Sequence, residues 1–216
     1  MTYTASELMT VNAARLLRDG DTVFVGVGLP NLACNLARHT HAPNLLMIYE
    51  AGVIGARPER LPLSIGDPTL VSGSTAVCSM YDIFTLYLQR GNVDVGFLGG
   101  AQIDQYGNIN ATVIGDYSHP KVRLPGSGGS MEMAAWANRC YIITPHQARR
   151  FPKKVDFRTS AGFLGGKAER INKGVRSSAL SGEVSNPSRS MTGSRLKTCT
   201  QICNGGPFCR FCKGIR

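Results

Sequence analysis

The chain has 216 residues, 43% of them hydrophobic and 18% charged, which suits one α/β domain with its own core and offers no run long enough to span a membrane. A net charge of +10 would point to a polyanionic partner. However, residues 1–166 hold 14 Lys+Arg against 12 Asp+Glu, while residues 167–216 hold 10 against 2, so nucleic-acid binding is not expected of the body. The start, MTYTASELMT, lacks the basic and greasy segments of a signal peptide, and the cytoplasm is the expected compartment.

In chain order, Thr4-Ala-Ser-Glu7 reads as a capping box opening a helix with Met9, Ala13, Leu16 and Leu17 on one face. TVFVGVG follows as a short buried strand, NLACNLARHT as a helix and NLLMIY as the next strand. Such tight βαβ spacing predicts an α/β fold, a mainly parallel sheet flanked by helices. Residues 57–69 form a Pro-punctuated loop, and TLVSGSTAV reads as a strand. MYDIFTLYLQRG is a helix with Met80, Ile83, Phe84, Tyr87 and Leu88 on one stripe and Gly91 as its stop. VDVGFLGGAQID and NINATVIGD are strands about a QYGN turn. LPGSGGSMEMAAWAN runs from a glycine loop into a helix, and CYIIT closes the regular part.

Glu50 ends an apolar run with no Lys or Arg within six residues on either side. A carboxylate there must be hydrogen-bonded, solvated or used in chemistry. At the carboxyl end of a strand in an open parallel sheet it would face the ligand crevice, and the small residues Ala51, Gly52 and Gly55 would let a ligand approach. Spacing alone fits a solvated strand-end acid at least as well as a nucleophile. GVGLPN, which includes Gly28, is either an anion cradle or a tight turn; it is not a dinucleotide fingerprint. GSGG, residues 126–129, could supply oxyanion-binding N–H groups or simply cap the next helix. Ser127 lacks the G-x-S-x-G setting of a serine hydrolase. The four histidines show no metal-ligand spacing, and RRFPKK reads as a solvated loop or a phosphate contact.

Together, GVGLP, YEAG, LPLSIGD, FLGGAQIDQYGNINATVIGDYSHPKVRLPGSGG and HQARRF resemble the B (β) subunits of class I CoA-transferases, of the glutaconate and 3-oxoadipate type, over about residues 4–175. The resemblance implies a CoA-transferase fold in which Glu50 is the nucleophile. Glu50 would attack an acyl-CoA thioester and become a glutamyl-CoA thioester before passing CoA to an acceptor acid. It implies an oxyanion and substrate-binding role for Gly28, Gly126, Gly128 and Gly129. It also implies coenzyme A as substrate, no cofactor, no metal, and an A-type partner chain in a hetero-oligomer. Where some relatives carry Glu-Asn-Gly, this chain has Glu50-Ala51-Gly52, as in the glutaconate-like branch.

The family pattern fades near Lys173–Arg176, giving an expected domain of residues 1–176 and a basic, Cys-rich tail of 177–216. Neither period 2 nor period 3.6 is visible in the tail, so no regular structure is expected there. Cys199, Cys203, Cys209 and Cys212 lack paired C-x2-C spacing, which argues against a zinc site. A reading-frame change near codon 176 would explain the breaks in charge, cysteine content and periodicity together, and reading the DNA in three frames tests it. Two other functions fit the sequence: part of a CoA-ester hydrolase or C–C bond-cleaving enzyme on the same fold, and a non-enzymatic protein binding through its tail.

Overall fold

The computed structural model describes residues 3–173 and 199–202. The expected boundary at 176, and most of the tail including Cys203, Cys209 and Cys212, lie outside the described residues.

Helix α1 (Ala5–Arg15) opens with the expected capping box: the Glu7 N–H donates to the Thr4 hydroxyl at 3.2 Å, and the Thr4 N–H donates to the Glu7 carboxylate at 2.6 Å. Then come β1 (Thr22–Phe24), α2 (Leu29–Thr40), β2 (Leu46–Ile48), β3 (Val53–Ile54) and β4 (Ala76–Val77). Next, α3 (Met80–Asp82) continues into a π-helical turn, Ile83–Leu88. The strands β5 (Val95–Leu98), β6 (Gln102–Ile103), β7 (Ile109–Asn110), β8 (Val113–Gly115) and β9 (Pro120–Arg123) precede α4 (Ser130–Trp136) and β10 (Arg139–Ile143). Helix α5 (Lys167–Asn172) and β11 (Cys199–Ile202) complete the described elements.

The central sheet has seven strands in the order β11-β10-β5-β1-β2-β3-β4. The first five are parallel, while β3 and β4 run antiparallel at one end. Two-residue periodicity sends Val23, Met47 and Tyr49 to one face, packed with Ala13, Leu17, Cys34 and Ala37 of the α1–α2 layer. Phe24, Ile48 and Ile142 go to the other face, with Ile83, Leu88 and Ala134. Each fully buried aliphatic side chain here contributes on the order of 1.5–3 kcal/mol.

Several elements differ from the sequence expectation. TLVSGSTAV is not one strand: Pro68–Val71 coils into a 3-10 turn capped by Asp67, and only Ala76–Val77 pairs. The helix expected from Met80 widens, with the Gln89 N–H bonding the Phe84 carbonyl and the Asn92 N–H the Tyr87 carbonyl, five residues back in each case. The extra residue per turn breaks the 3.6 stripe, so Met80 is half-exposed while Ile83 and Leu88 stay buried. VDVGFLGGAQID splits into β5 and β6, which belong to different sheets. Residues 199–202 do form a strand, paired in parallel with β10 from Cys140↔Cys199 to Ile143↔Ile202. An open strand edge accepts any extended segment, and Thr200 and Ile202 favour that conformation.

Candidate active site

Strand β2 sets the position of Glu50. Leu46 and Ile48 pack on the face that holds Phe24, Phe84 and Met133, and period two assigns Glu50 to the same face. Tyr49 points the opposite way and is fully buried, its hydroxyl accepting from the Asn31 amide at 2.5 Å. Burial, then the neighbouring Cys34, pushes the Tyr49 phenol well above its ordinary value. A buried ring with its hydroxyl held on α2 fixes the end of β2 and thereby the backbone of Glu50. Beyond it the chain turns at once: the Gly52 N–H donates to the Tyr49 carbonyl at 3.0 Å and the Tyr49 N–H to the Val53 carbonyl at 2.9 Å. Gly52 has φ +106°, and a Cβ there would overlap the Cys78 carbonyl. The glycine of YEAG is therefore required by backbone packing whatever the role of the acid.

Glu50 is half-buried, and none of the described residues donates a hydrogen bond to its carboxylate or pairs with it. Its neighbour is the glycine loop. The Glu50 carboxyl carbon lies 3.5 Å from where a side chain on Gly129 would begin, and the Phe84 ring tip lies 2.8 Å from the same point. Phe84 is held in turn by a tilted contact with Phe24, ring centroids 5.6 Å apart. The π-helical turn and the glycine loop thus close on the carboxylate from one side.

The expected glycines divide. Gly129 is buried against Glu50. Gly128 is exposed with φ +47°, and the N–H groups of Ser127, Gly128 and Gly129 have no acceptor among the described residues. Gly126 departs from expectation: its N–H donates to the Ala111 carbonyl at 2.8 Å, so it anchors the loop and is not free for an oxyanion. Gly28, with φ +84°, caps α2 at the carboxyl end of β1, the strand beside β2. It stands at the same end of the sheet as Glu50. Sequence reasoning did not single out Phe84, Tyr49, Asn31 or the Ser127 hydroxyl for this site. That hydroxyl is buried without a partner among the described residues, a property that no local pattern announces.

A half-buried carboxylate free of counterions, facing a loop with unengaged N–H groups, suits nucleophilic attack with stabilisation of a developing oxyanion. Residues 6–184 of this chain match the family model described as Coenzyme A transferase.

The chain belongs to the coenzyme A transferase family. The family match runs past the boundary expected at 176. The B-type chain of the 3-oxoadipate CoA-transferase of Pseudomonas knackmussii is 51% identical over 173 residues, covering 80% of this chain and 66% of that one. The chain thus spans just under two-thirds of that relative. The crystal structure of glutaconate coenzyme A-transferase from Acidaminococcus fermentans superposes with a TM-score of 0.79 at 31% identity, covering 94% of this chain and 73% of that one. The decarboxylase AibA/AibB superposes with a TM-score of 0.69, also at 31% identity, covering 75% and 68%.

Among the described residues, no helix is long and apolar enough to cross a membrane, and no group of three or more His, Cys, Asp or Glu side chains is placed to hold a metal ion.

Proposed function

We propose that this chain is the glutamate-bearing B-type half of a CoA-transferase, moving CoA between an acyl-CoA and a dicarboxylic or 3-oxo acid of the 3-oxoadipate or glutaconate type. The observation that carries the reading is the unpaired Glu50 carboxylate set against Gly129. Glu50 attacks the donor thioester carbonyl, and CoA thiolate leaves from the tetrahedral intermediate to give a mixed anhydride. The thiolate attacks the glutamyl carbonyl, releasing the donor acid and leaving CoA on Glu50. The acceptor carboxylate then runs the sequence in reverse. The N–H groups of Gly128 and Gly129 are the oxyanion donors in this reading, with Gly28 shaping the crevice and Gly126 tethering the loop.

No cofactor is required, since CoA is itself the group transferred. A cytoplasmic location fits this substrate, and neither nucleic acid nor membrane has a part in it. An A-type chain is the partner. Six large apolar side chains between residues 61 and 81, Leu61, Leu63, Val71, Val77, Met80 and Tyr81, are each at least half-exposed, Leu63 at 87%. So much exposed apolar surface flanking the Glu50 turn supports a covering protein surface.

Mass spectrometry of the Glu50 peptide tests the reading, after incubation of the full chain and its A-type partner with an acyl-CoA. A CoA adduct on Glu50, absent in Glu50→Ala, is expected. The likeness to a decarboxylase supports a second reading, one half of a C–C bond-cleaving enzyme; a folded complex that forms no adduct would sink the transferase and favour it.

A further inference from the structure

A second cleft, of about 310 Å³, is lined by Arg38, His39, Pro43, Arg57 and Pro58. It lies at the opposite end of the strands from Glu50. Arg38 and His39 sit in the last turn of α2, whose first turn meets the carboxyl end of β1. Pro43 leads into β2. Arg57 and Pro58 follow β3, which runs back antiparallel to β2, with the Gly55 N–H on the Met47 carbonyl. The length of β2 separates the cleft from the active site by roughly 15 Å.

The charges in this cleft are unbalanced. Arg38 is half-buried and donates Nη1 to the Ala56 carbonyl at 2.8 Å and Nη2 to Asn35 Oδ1 at 3.0 Å, both neutral acceptors. Those bonds account for Arg38 as a tie between the end of α2 and the segment after β3. Nothing similar accounts for Arg57, whose guanidinium has no hydrogen bond or ion pair among the described residues. Near the end of α2, the Leu36 carbonyl accepts from the Thr40 hydroxyl and the Ala37 carbonyl from the N–H groups of His41 and Ala42. Glu59, two residues beyond Arg57, forms no ion pair among the described residues. Burial first, and then the charge of Arg57, lowers Arg38 from its ordinary value. Two guanidinium groups therefore line a common space, and neither pairs with a carboxylate among the described residues. Planar forks of N–H donors suit an oxyanion with at least two oxygens.

We propose that this cleft is a non-catalytic binding site for a small, multiply charged oxyanion, a phosphate or a dicarboxylate, held between Arg38 and Arg57. It stands apart from the reading of Glu50 and survives if that reading fails.

Isothermal titration of the full chain with inorganic phosphate, and separately with succinate, tests it. Saturable binding of at least one of the two is expected, weakened about tenfold or more by Arg57→Gln. Saturation by phosphate alone identifies a phosphate-bearing ligand, and saturation by succinate identifies a carboxylate. Arg57 is exposed, and Gln keeps the Cβ that packs on Gly73, so the variant should stay folded. Lys121→Gln, which removes an exposed cation elsewhere, and Glu50→Gln should both leave the affinity unchanged. Absence of saturation by either probe, or equal weakening by Arg57→Gln and Lys121→Gln, would overturn the proposal.

Discussion

A methyl group on Gly129 would stand 2.8 Å from the ring tip of Phe84 and 3.5 Å from the carboxyl carbon of Glu50. The backbone there is ordinary, φ −78° and ψ 0°, so the constraint is space and not conformation. Phe84 leans on Phe24, so a retreat of its ring would disturb that contact. Overpacking of this kind costs about 1–3 kcal/mol, and displacing a nucleophile by a fraction of an ångström lowers the rate further. Gly129→Ala should therefore unfold at a modestly lower denaturant concentration yet form the Glu50 adduct at least ~10-fold more slowly. An adduct rate equal to that of the unsubstituted chain would show that the loop does not shape the nucleophile's position. A different use of single residues occurs at Asn108, which is fully buried. Its Oδ1 accepts from the N–H groups of Gly162 and Leu164, and its Nδ2 donates to the Leu164 carbonyl. Leu164 is the one non-glycine among the described residues with positive φ, at +59°. The side-chain amide of Asn108, in the QYGN turn, holds this unfavourable backbone of the 162–166 loop in place, so the turn serves there as scaffold.

At the scale of elements, LPLSIGD is explained by Asp67. Its carboxylate receives both Nη groups of Arg60 and the N–H groups of Leu63 and Thr69. The Arg60 guanidinium first, and then the two N–H groups, hold the Asp67 carboxyl well below the usual carboxylate range. The folded-state value is depressed, so the contribution to stability is complete above the unfolded value near pH 4 and is lost as the pH falls toward the folded one. Asp67→Asn should melt lower than the parent at pH 7, and the gap should narrow between about pH 4 and pH 2. A gap independent of pH in melting curves would place the effect in loop shape and not in the charge. The sequence showed where β1, α2 and β2 lie because their periodicity is local. It missed the widening after α3 and the 3-10 turn at Pro68, because hydrogen bonds to carbonyls three or five residues back arise from packing and leave no distinct apolar pattern. The parity of Ile48 and Glu50 was likewise readable. That Gly129, seventy-nine positions on, would meet that carboxylate depends on how α4 docks on the sheet.

The whole molecule raises the question of what β11 does for the sheet. Four residues of β11 pair with β10, whose Cys140, Tyr141 and Ile142 are buried. On its other side β10 pairs with β5, and β1 lies between β5 and the strand that carries Glu50. A chain ending at Lys173 would lose this ladder and leave β10 as an open parallel edge. At about 1 kcal/mol for each backbone hydrogen bond removed, the loss is on the order of 2–4 kcal/mol, or a fall in melting midpoint of about 5–15 °C for a domain of this size. The newly bare edge would also invite pairing between copies. Glu50, Gly129 and Phe84 lie away from β11 across the sheet, so the truncated chain should still form the CoA adduct with its A-type partner at low temperature. Light scattering and calorimetry of the two forms decide the matter. A lower midpoint with self-association and a preserved adduct is expected. An unchanged midpoint would mean that the 199–202 strand adds nothing to the sheet, and a lost adduct would tie the tail to the chemistry from three strands away.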